Sequence, residues 1–142
     1  MVMASRCAEP AVGESLADWL SKLETRAHHI SVHTSTPHVA GALQDLLGQR
    51  LVATISGIGD EKTVGRWARG EREPRGESER RLRDAFQIVT LLSLADSPAM
   101  ARAWFVGMNP HLRDRAPFAV LGEDSASAPQ VLAAAKAFVV NG

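Results

Sequence analysis

The sequence predicts an all-α protein, and three observations support this prediction. Apolar residues make up 45% of the 142 residues, but aromatic residues make up only 5% and tyrosine is absent, so alanine, leucine and valine supply most of the core. Alanine and leucine favour helices. Apolar residues recur at helical spacing in several segments, and no segment shows the alternation expected of a strand. At this length we expect one domain, or two small helical modules that share a core.

The N-terminal part is predicted to contain two helices after a loose tail over residues 1–14. The first helix runs from a cap at Ser15 to about Ala27, and its apolar stripe consists of Leu16, Trp19, Leu20 and Leu23. Residues 28–37 are polar and β-branched and end at a proline, so they are predicted to form a linker. The second helix begins at Thr36-Pro37 and ends at Gly48.

The central part is predicted to contain a short helix over about 51–56, a tight turn at 57–60, and a helix over about 61–69 that ends at Gly70. A loop at 71–76 follows. The next helix runs from about 77 to 95. It begins amphipathic and ends apolar on nearly all sides, which predicts burial between two modules or in a dimer interface.

The C-terminal part is predicted to contain a helix from Ser97-Pro98 to about Met108, then a loop over 109–127 with one helical turn around 118–121. A last helix opens at Pro129 and carries a stripe of Val131, Ala134, Ala135 and Phe138. We expect three units: an N-terminal extension (1–40), a central module (41–96) and a C-terminal module (97–142).

The formal net charge is zero, with 16 basic and 16 acidic residues, but the charges are distributed unevenly. Residues 61–83 contain eight lysines and arginines against five glutamates, whereas residues 1–60 contain four basic and six acidic residues. A basic patch on a neutral protein fits salt-sensitive contact with phosphate groups. The single cysteine, Cys7, cannot form an intrachain disulfide. With no membrane span or secretory signal visible, we expect a cytoplasmic protein.

Residues 51–70 have the order helix, turn, helix. On the second of these helices, Lys62, Arg66 and Arg69 fall within about 60° of one another, opposite the apolar residues. A recognition helix needs one side that docks on its own domain and another that enters the major groove. Alone, such a helix is more often a solvated surface helix. The expected DNA contacts are Lys62, Thr63, Arg66, Arg69, Arg72 and Arg75.

The segment from Leu43 to the last residue contains several short motifs, and some of them place rare residues at fixed spacing. They are Thr63-Val64-Gly65-Arg66-Trp67, Arg80-Arg81-Leu82, Trp104-Phe105, Asn109-Pro110-His111-Leu112, Ala116-Pro117, Val131, Ala134-Ala135 with Phe138, and Gly142. With these motifs the chain resembles the Xre/MbcA/ParS group of antitoxins. Residues 124–127 depart from the compact glycine-containing loop of that group, and the first forty residues lie outside its core.

The resemblance implies an Xre-like helix-turn-helix module packed against a small helical toxin-binding module. It further implies a RES-type toxin, which targets NAD, as partner, and repression of the chain's own operon through operator DNA. The implied toxin contacts are Trp104, Asn109, Pro110, Leu112, Pro117, Phe138, Val139, Val140 and Gly142, with the end of the chain lying against the toxin. From the residues alone, Trp104 serves equally well as a core residue, and residues 139–142 as a frayed end. We also expect a homodimer, because a helix-turn-helix reads two half-sites best as a dimer.

Two alternatives remain. One is a stand-alone helix-turn-helix regulator, chromosomal or prophage-borne, without a toxin partner. The other is a metal-dependent enzyme that uses His28, His29, His33 and His38. These histidines have no cysteine among them and lie in the predicted linker, and no phosphate-binding loop or catalytic triad is visible. We therefore expect no metal, no cofactor and no enzymatic activity.

Overall fold

The computed structural model describes residues 9–141. Within that range the chain forms helices and no strands, so the all-α prediction is confirmed. The helices are α1 (Leu16–His33), α2 (Thr36–Leu47), α3 (Gln49–Ser56), α4 (Lys62–Ala68), α5 (Gly76–Ala95), α6 (Pro98–Val106), α7 (Pro117–Glu123) and α8 (Ala128–Asn141). Short 3-10 turns lie at 110–112 and 125–127.

Helix α5 lies at the centre of the fold. It contacts α1, α2, α3, α6, α7 and α8. Because neighbours cover its second half on several sides, apolar residues there are buried around most of the helix, as the sequence predicted. The buried residues of α5 are Leu82, Ala85, Ile88, Val89, Leu91, Leu92 and Ala95.

Helix α1 begins at the predicted cap but is longer than predicted. The Ser15 hydroxyl accepts the backbone N–H of Asp18 at 3.1 Å. The helix then continues past Ala27 to His33, so the prediction of a linker is wrong for residues 28–33. Ser31 is buried, and its hydroxyl donates to the carbonyl of His28 at 2.8 Å. Packing of α1 along α5 outweighs the weak helix preference of this polar stretch.

Arg83 of α5 fixes the turn between α1 and α2. Its Nη1 donates to the carbonyl oxygens of Ser31 (2.6 Å) and Thr34 (2.8 Å). Its Nη2 donates to the Thr36 hydroxyl at 3.0 Å, and that hydroxyl donates to Glu79 at 2.7 Å. Two carbonyl groups at the end of α1, which the helix itself leaves free, are thereby satisfied. The N-terminal helix is thus anchored to the rest of the structure.

The C-terminal part differs from the sequence prediction in two places. Helix α6 ends at Val106 instead of Met108, because Gly107 takes an extended conformation. Helix α7 spans Pro117–Glu123, where the sequence indicated only one turn. Its first residue is a proline, which has the fixed φ that a first helical turn needs, and Leu121 anchors it in the core.

Packing crosses the predicted limits between the three units. Helix α1 packs on α5, and α7 packs on α3. The second contact is close at Gly122, where a Cβ atom would overlap the carbonyl oxygen of Thr54. Arg81 adds a hydrogen bond from Nη1 to the carbonyl of Gly122 at 2.9 Å. The segments before and after residue 96 therefore share one core.

Within the described residues, none of the helices combines the length and the apolar content that crossing a membrane requires.

Candidate functional site

Helices α3 and α4 are joined by a turn whose own polar groups stabilise it. Gly57 takes a left-handed conformation with a φ of 77°. The Asp60 carboxylate accepts the backbone N–H of Lys62 at 3.0 Å, which satisfies one of the free donors at the start of α4. On the inward side Val64 and Trp67 are buried, and α4 packs against α2. The docking side predicted for α4 is therefore present.

The outward side of α4 carries three of the residues predicted to contact DNA. Lys62 and Arg69 are exposed, and Arg66 is half-exposed. Thr63 is half-buried, with its hydroxyl 3.5 Å from Asp60. Two further predicted residues, Arg72 and Arg75, are exposed in the loop that follows. The fold thus brings Lys62, Arg66 and Arg69 onto one accessible surface, which we call the basic surface of α4.

Three arginines at or beside this surface are paired with carboxylates. The Arg66 Nη1 atom lies 3.8 Å from Asp60, the Arg69 Nε atom 2.7 Å from Glu71, and the Arg50 Nε atom 3.6 Å from Glu61. The hydrogen bond from Arg69 holds the pKa of Glu71 below its usual value. Exposed pairs of this kind contribute little to stability. A phosphate group can therefore replace the carboxylate with little loss to the fold.

Gly65 lies at the point where α4 passes close to α2 and α3. A Cβ atom there would lie 2.8 Å from Nε2 of Gln49 and 3.2 Å from Nη1 of Arg69. Gln49 in turn donates to Oε1 of Gln44 at 2.8 Å. Gln49 and Arg50, the first two residues of α3, lie beside the basic surface of α4 and were not among the predicted contacts. Because Gly48 ends α2, the sequence already allowed α3 to begin at Gln49 and to include both residues.

The side chains predicted to contact the toxin are mostly buried. Trp104 is 7% exposed, Val139 is 5% exposed, and Leu112 and Pro117 are also buried. Trp104 and the adjacent Phe105 both pack in the core, with their ring centroids 5.5 Å apart in an edge-to-face arrangement. This is possible because α6 is covered on more than one side, by α2, α5 and α7. These residues support the surface around them.

Asn109 organises the loop after α6. Its Oδ1 accepts the N–H of His111 at 2.8 Å, and its backbone pairs with Arg115 in an isolated bridge. The predicted turn at Asn109-Pro110 is confirmed. Arg113 and Asp114 take φ values of 57° and 60°. This left-handed conformation costs free energy for residues other than glycine, so the loop tip is held in shape by the bonds around it.

Accessible apolar side chains lie just before this loop, within it and near the end of α8. Met108 is 80% exposed and Val106 is 43% exposed at the end of α6, and Val140 is 37% exposed near the end of α8. The 3-10 turn at 110–112 contacts α8. Of the predicted contacts, Pro110 is exposed and Phe138 is half-buried. We call Val106, Met108, Pro110 and Val140 the apolar rim. Val106 and Met108 were not among the predicted toxin contacts, because spacing alone does not show which side of a short helix is covered by its neighbours.

Residues 139–141 belong to α8, which ends at Asn141. The alternative of a frayed end is therefore wrong for residues 139–141, and their contact with a toxin stays a prediction. The last helix buries Val139 together with Val131, Ala134 and Ala135. Gly142, the remaining predicted contact, lies outside the described residues, as does Cys7.

The histidines lie on helices instead of a linker. His28, His29 and His33 are on α1, where the ring centroids of His29 and His33 are 4.2 Å apart. His38 is on α2, with Nδ1 2.6 Å from the Ser35 hydroxyl. Among residues 9–141 no three histidine, cysteine or acidic side chains converge as a metal site requires.

Comparisons with protein families, curated proteins and solved structures found no match to this chain. What the chain does must therefore be inferred from its residues and their geometry.

Proposed function

We propose that this chain is a DNA-binding antitoxin. It recognises operator DNA through α3 and α4, a helix-turn-helix, and it neutralises a RES-type, NAD-targeting toxin through its C-terminal part. The observation that carries the proposal is the two-sided α4. Val64 and Trp67 dock the helix on the body of the protein, and the basic surface of Lys62, Arg66 and Arg69 is left free for the major groove.

The surroundings of α4 suit this role. Exposed arginines precede and follow α4 in the sequence: Arg50 before it, and Arg72 and Arg75 after it. In this proposal they contact backbone phosphates. The carboxylate partners of Arg50, Arg66 and Arg69 are exposed, so DNA phosphates compete with them directly. Binding is then expected to weaken steeply as salt is raised.

The toxin half of the proposal is supported by the motif resemblance from Leu43 onward and by the apolar rim. Trp104, Leu112 and Pro117 are buried in the same C-terminal part of the chain. Met108 is the most exposed apolar residue there, and flexible methionine side chains fill irregular contact surfaces well. We expect the toxin to bury the rim, with Met108 near the centre of the contact.

Co-expression tests both halves. The chain is produced together with the product of the neighbouring gene, and co-purification and rescue of growth are scored. Fluorescence anisotropy then measures binding to the upstream promoter DNA. We expect Arg66→Ala to weaken DNA binding by about 1–3 kcal/mol. Arg26→Ala, an exposed arginine on α1, is the matched control and is expected to bind normally.

The outcomes separate the candidate functions. DNA binding without a co-purifying toxin would point to a stand-alone regulator. Equal promoter binding by Arg66→Ala and wild type, with no dependence on salt, would show that α4 does not read DNA.

A further inference from the structure

A cleft between α5, α8 and the 3-10 turn at 125–127 belongs to neither of the proposed binding surfaces. Its volume is about 300 Å³, at the lower end of the range for small-molecule sites. The cleft is lined by Asp84, Gln87, Ile88, Ser125, Ala128, Pro129 and Leu132. It therefore combines three polar side chains with an apolar wall.

Asp84 is the only charged residue in this lining. Its carboxylate is half-buried and makes no hydrogen bond or ion pair with another residue in the range 9–141. Burial raises the pKa of Asp84, with Arg80 acting in the opposite direction and Glu77 in the same one. Arg80 and Glu77 are both exposed, so solvent screens the effect of their charges on Asp84. A carboxylate in this position gains free energy when a cation is brought to it.

We propose that this cleft binds the ammonium or guanidinium group of a ligand with a short apolar stem, with Asp84 as its counter-ion. The oxygens of Gln87 and Ser125 are acceptors for the remaining N–H groups of the ligand. The Ser125 hydroxyl lies near Glu77 and lowers the pKa of that carboxyl, and its oxygen lone pairs remain available to a ligand. Pro129 and Leu132 contact the stem.

A cleft built to bind a cationic group selects against other ligands. The cationic group itself can come from either of two sources. The charge of Asp84 repels an anion, since the nearby charges of Arg80 and Glu77 are opposite in sign, and a purely apolar ligand would leave the half-buried carboxylate without a partner. A free amine and the arginine or lysine side chain of a bound protein both carry the required group. The experiment therefore uses one probe for each source.

The test is an NMR titration of the isotope-labelled full chain with agmatine and, separately, with a capped Ala-Arg-Ala peptide. We expect saturable shifts confined to the signals of Gln87, Ser125, Ala128 and Leu132. Binding of agmatine alone assigns the cleft to free amines, and binding of the peptide alone assigns it to a protein side chain. Either result, or binding of both, supports the proposal.

Asp84→Asn removes the charge and keeps the shape, and we expect it to weaken probe binding by at least about tenfold. Asp45→Asn changes an exposed carboxylate on α2 and is expected to bind like the wild type. In the wild type, a bound probe is expected to lower the pKa of the Asp84 carboxyl, which NMR reads without any variant. Equal binding by Asp84→Asn, or no saturable binding of either probe, would overturn the proposal.

Discussion

At the scale of single residues, the proposed function makes Glu71 a competitor of DNA phosphate for Arg69. It holds the guanidinium of Arg69 at 2.7 Å on the basic surface of α4. Glu71→Gln removes the charge that phosphate must displace, so we predict tighter promoter binding. The loss of affinity with salt is expected to be equal or steeper, because no carboxylate is left to take up a cation when Arg69 contacts a phosphate. Glu73→Gln, an exposed glutamate in the same loop, is the matched control for net charge. Anisotropy titrations of the two variants decide the point, and an equal gain in both would mean that only net charge matters.

Trp104 and Met108 are close in sequence but have opposite environments. We predict that Trp104→Ala lowers the free energy of unfolding by about 3–5 kcal/mol, because it empties a core position. Met108→Ala is expected to change it by less than about 0.5 kcal/mol while weakening the complex with the toxin. Urea unfolding and a binding titration measure the two quantities separately. A stable Trp104→Ala protein would show that Trp104 is not a core residue. A Met108→Ala protein that binds the toxin normally would show that the apolar rim is misassigned.

At the scale of helices, the features fixed by adjacent residues were predictable. The caps at Ser15 and Ser97 and the end of α2 at Gly48 lie where the sequence indicates. The end of α1 was not predictable, because it depends on Arg83, which is far away in the sequence. The two sides of α4 followed from helical periodicity. The burial of Trp104 and Leu112 depends on which neighbours cover α6, and that information is not local.

The end of α8 yields an element-scale prediction. Val139 is 5% exposed and packs in the core. Deletion of residues 139–142 is therefore expected to lower the free energy of unfolding by about 1.5–3 kcal/mol through the loss of that burial. Deletion of 140–142 keeps Val139 and is expected to cost much less. Thermal unfolding of both truncated proteins compares them, and equal stability of the two would place Val139 outside the core.

At the scale of the whole molecule, the contact of α7 with α3 joins the candidate DNA-binding and toxin-binding parts. Arg81 strengthens this joint, since it bonds the carbonyl of Gly122 and also lies beside Gly57 in the turn before α4. The two parts share the central α5 as well. We therefore expect the chain to unfold in one transition, since neither part has a core of its own.

Gly122 tests this joint directly. On helix propensity alone, Gly122→Ala would stabilise α7 by about 1 kcal/mol. The new Cβ atom would overlap the Thr54 carbonyl. Forcing α7 away from α3 is expected to turn this gain of stability into a net loss of about 1–3 kcal/mol.

Gly41→Ala in α2 is the matched control. Its Cβ atom would meet Ala68 Cβ at 3.8 Å, an ordinary contact, so it is expected to stabilise the protein. Urea unfolding followed by circular dichroism and by tryptophan fluorescence gives both free energies and shows whether the transitions coincide. A gain of stability in both variants, or a C-terminal part that unfolds separately, would mean that α7 is not held against α3.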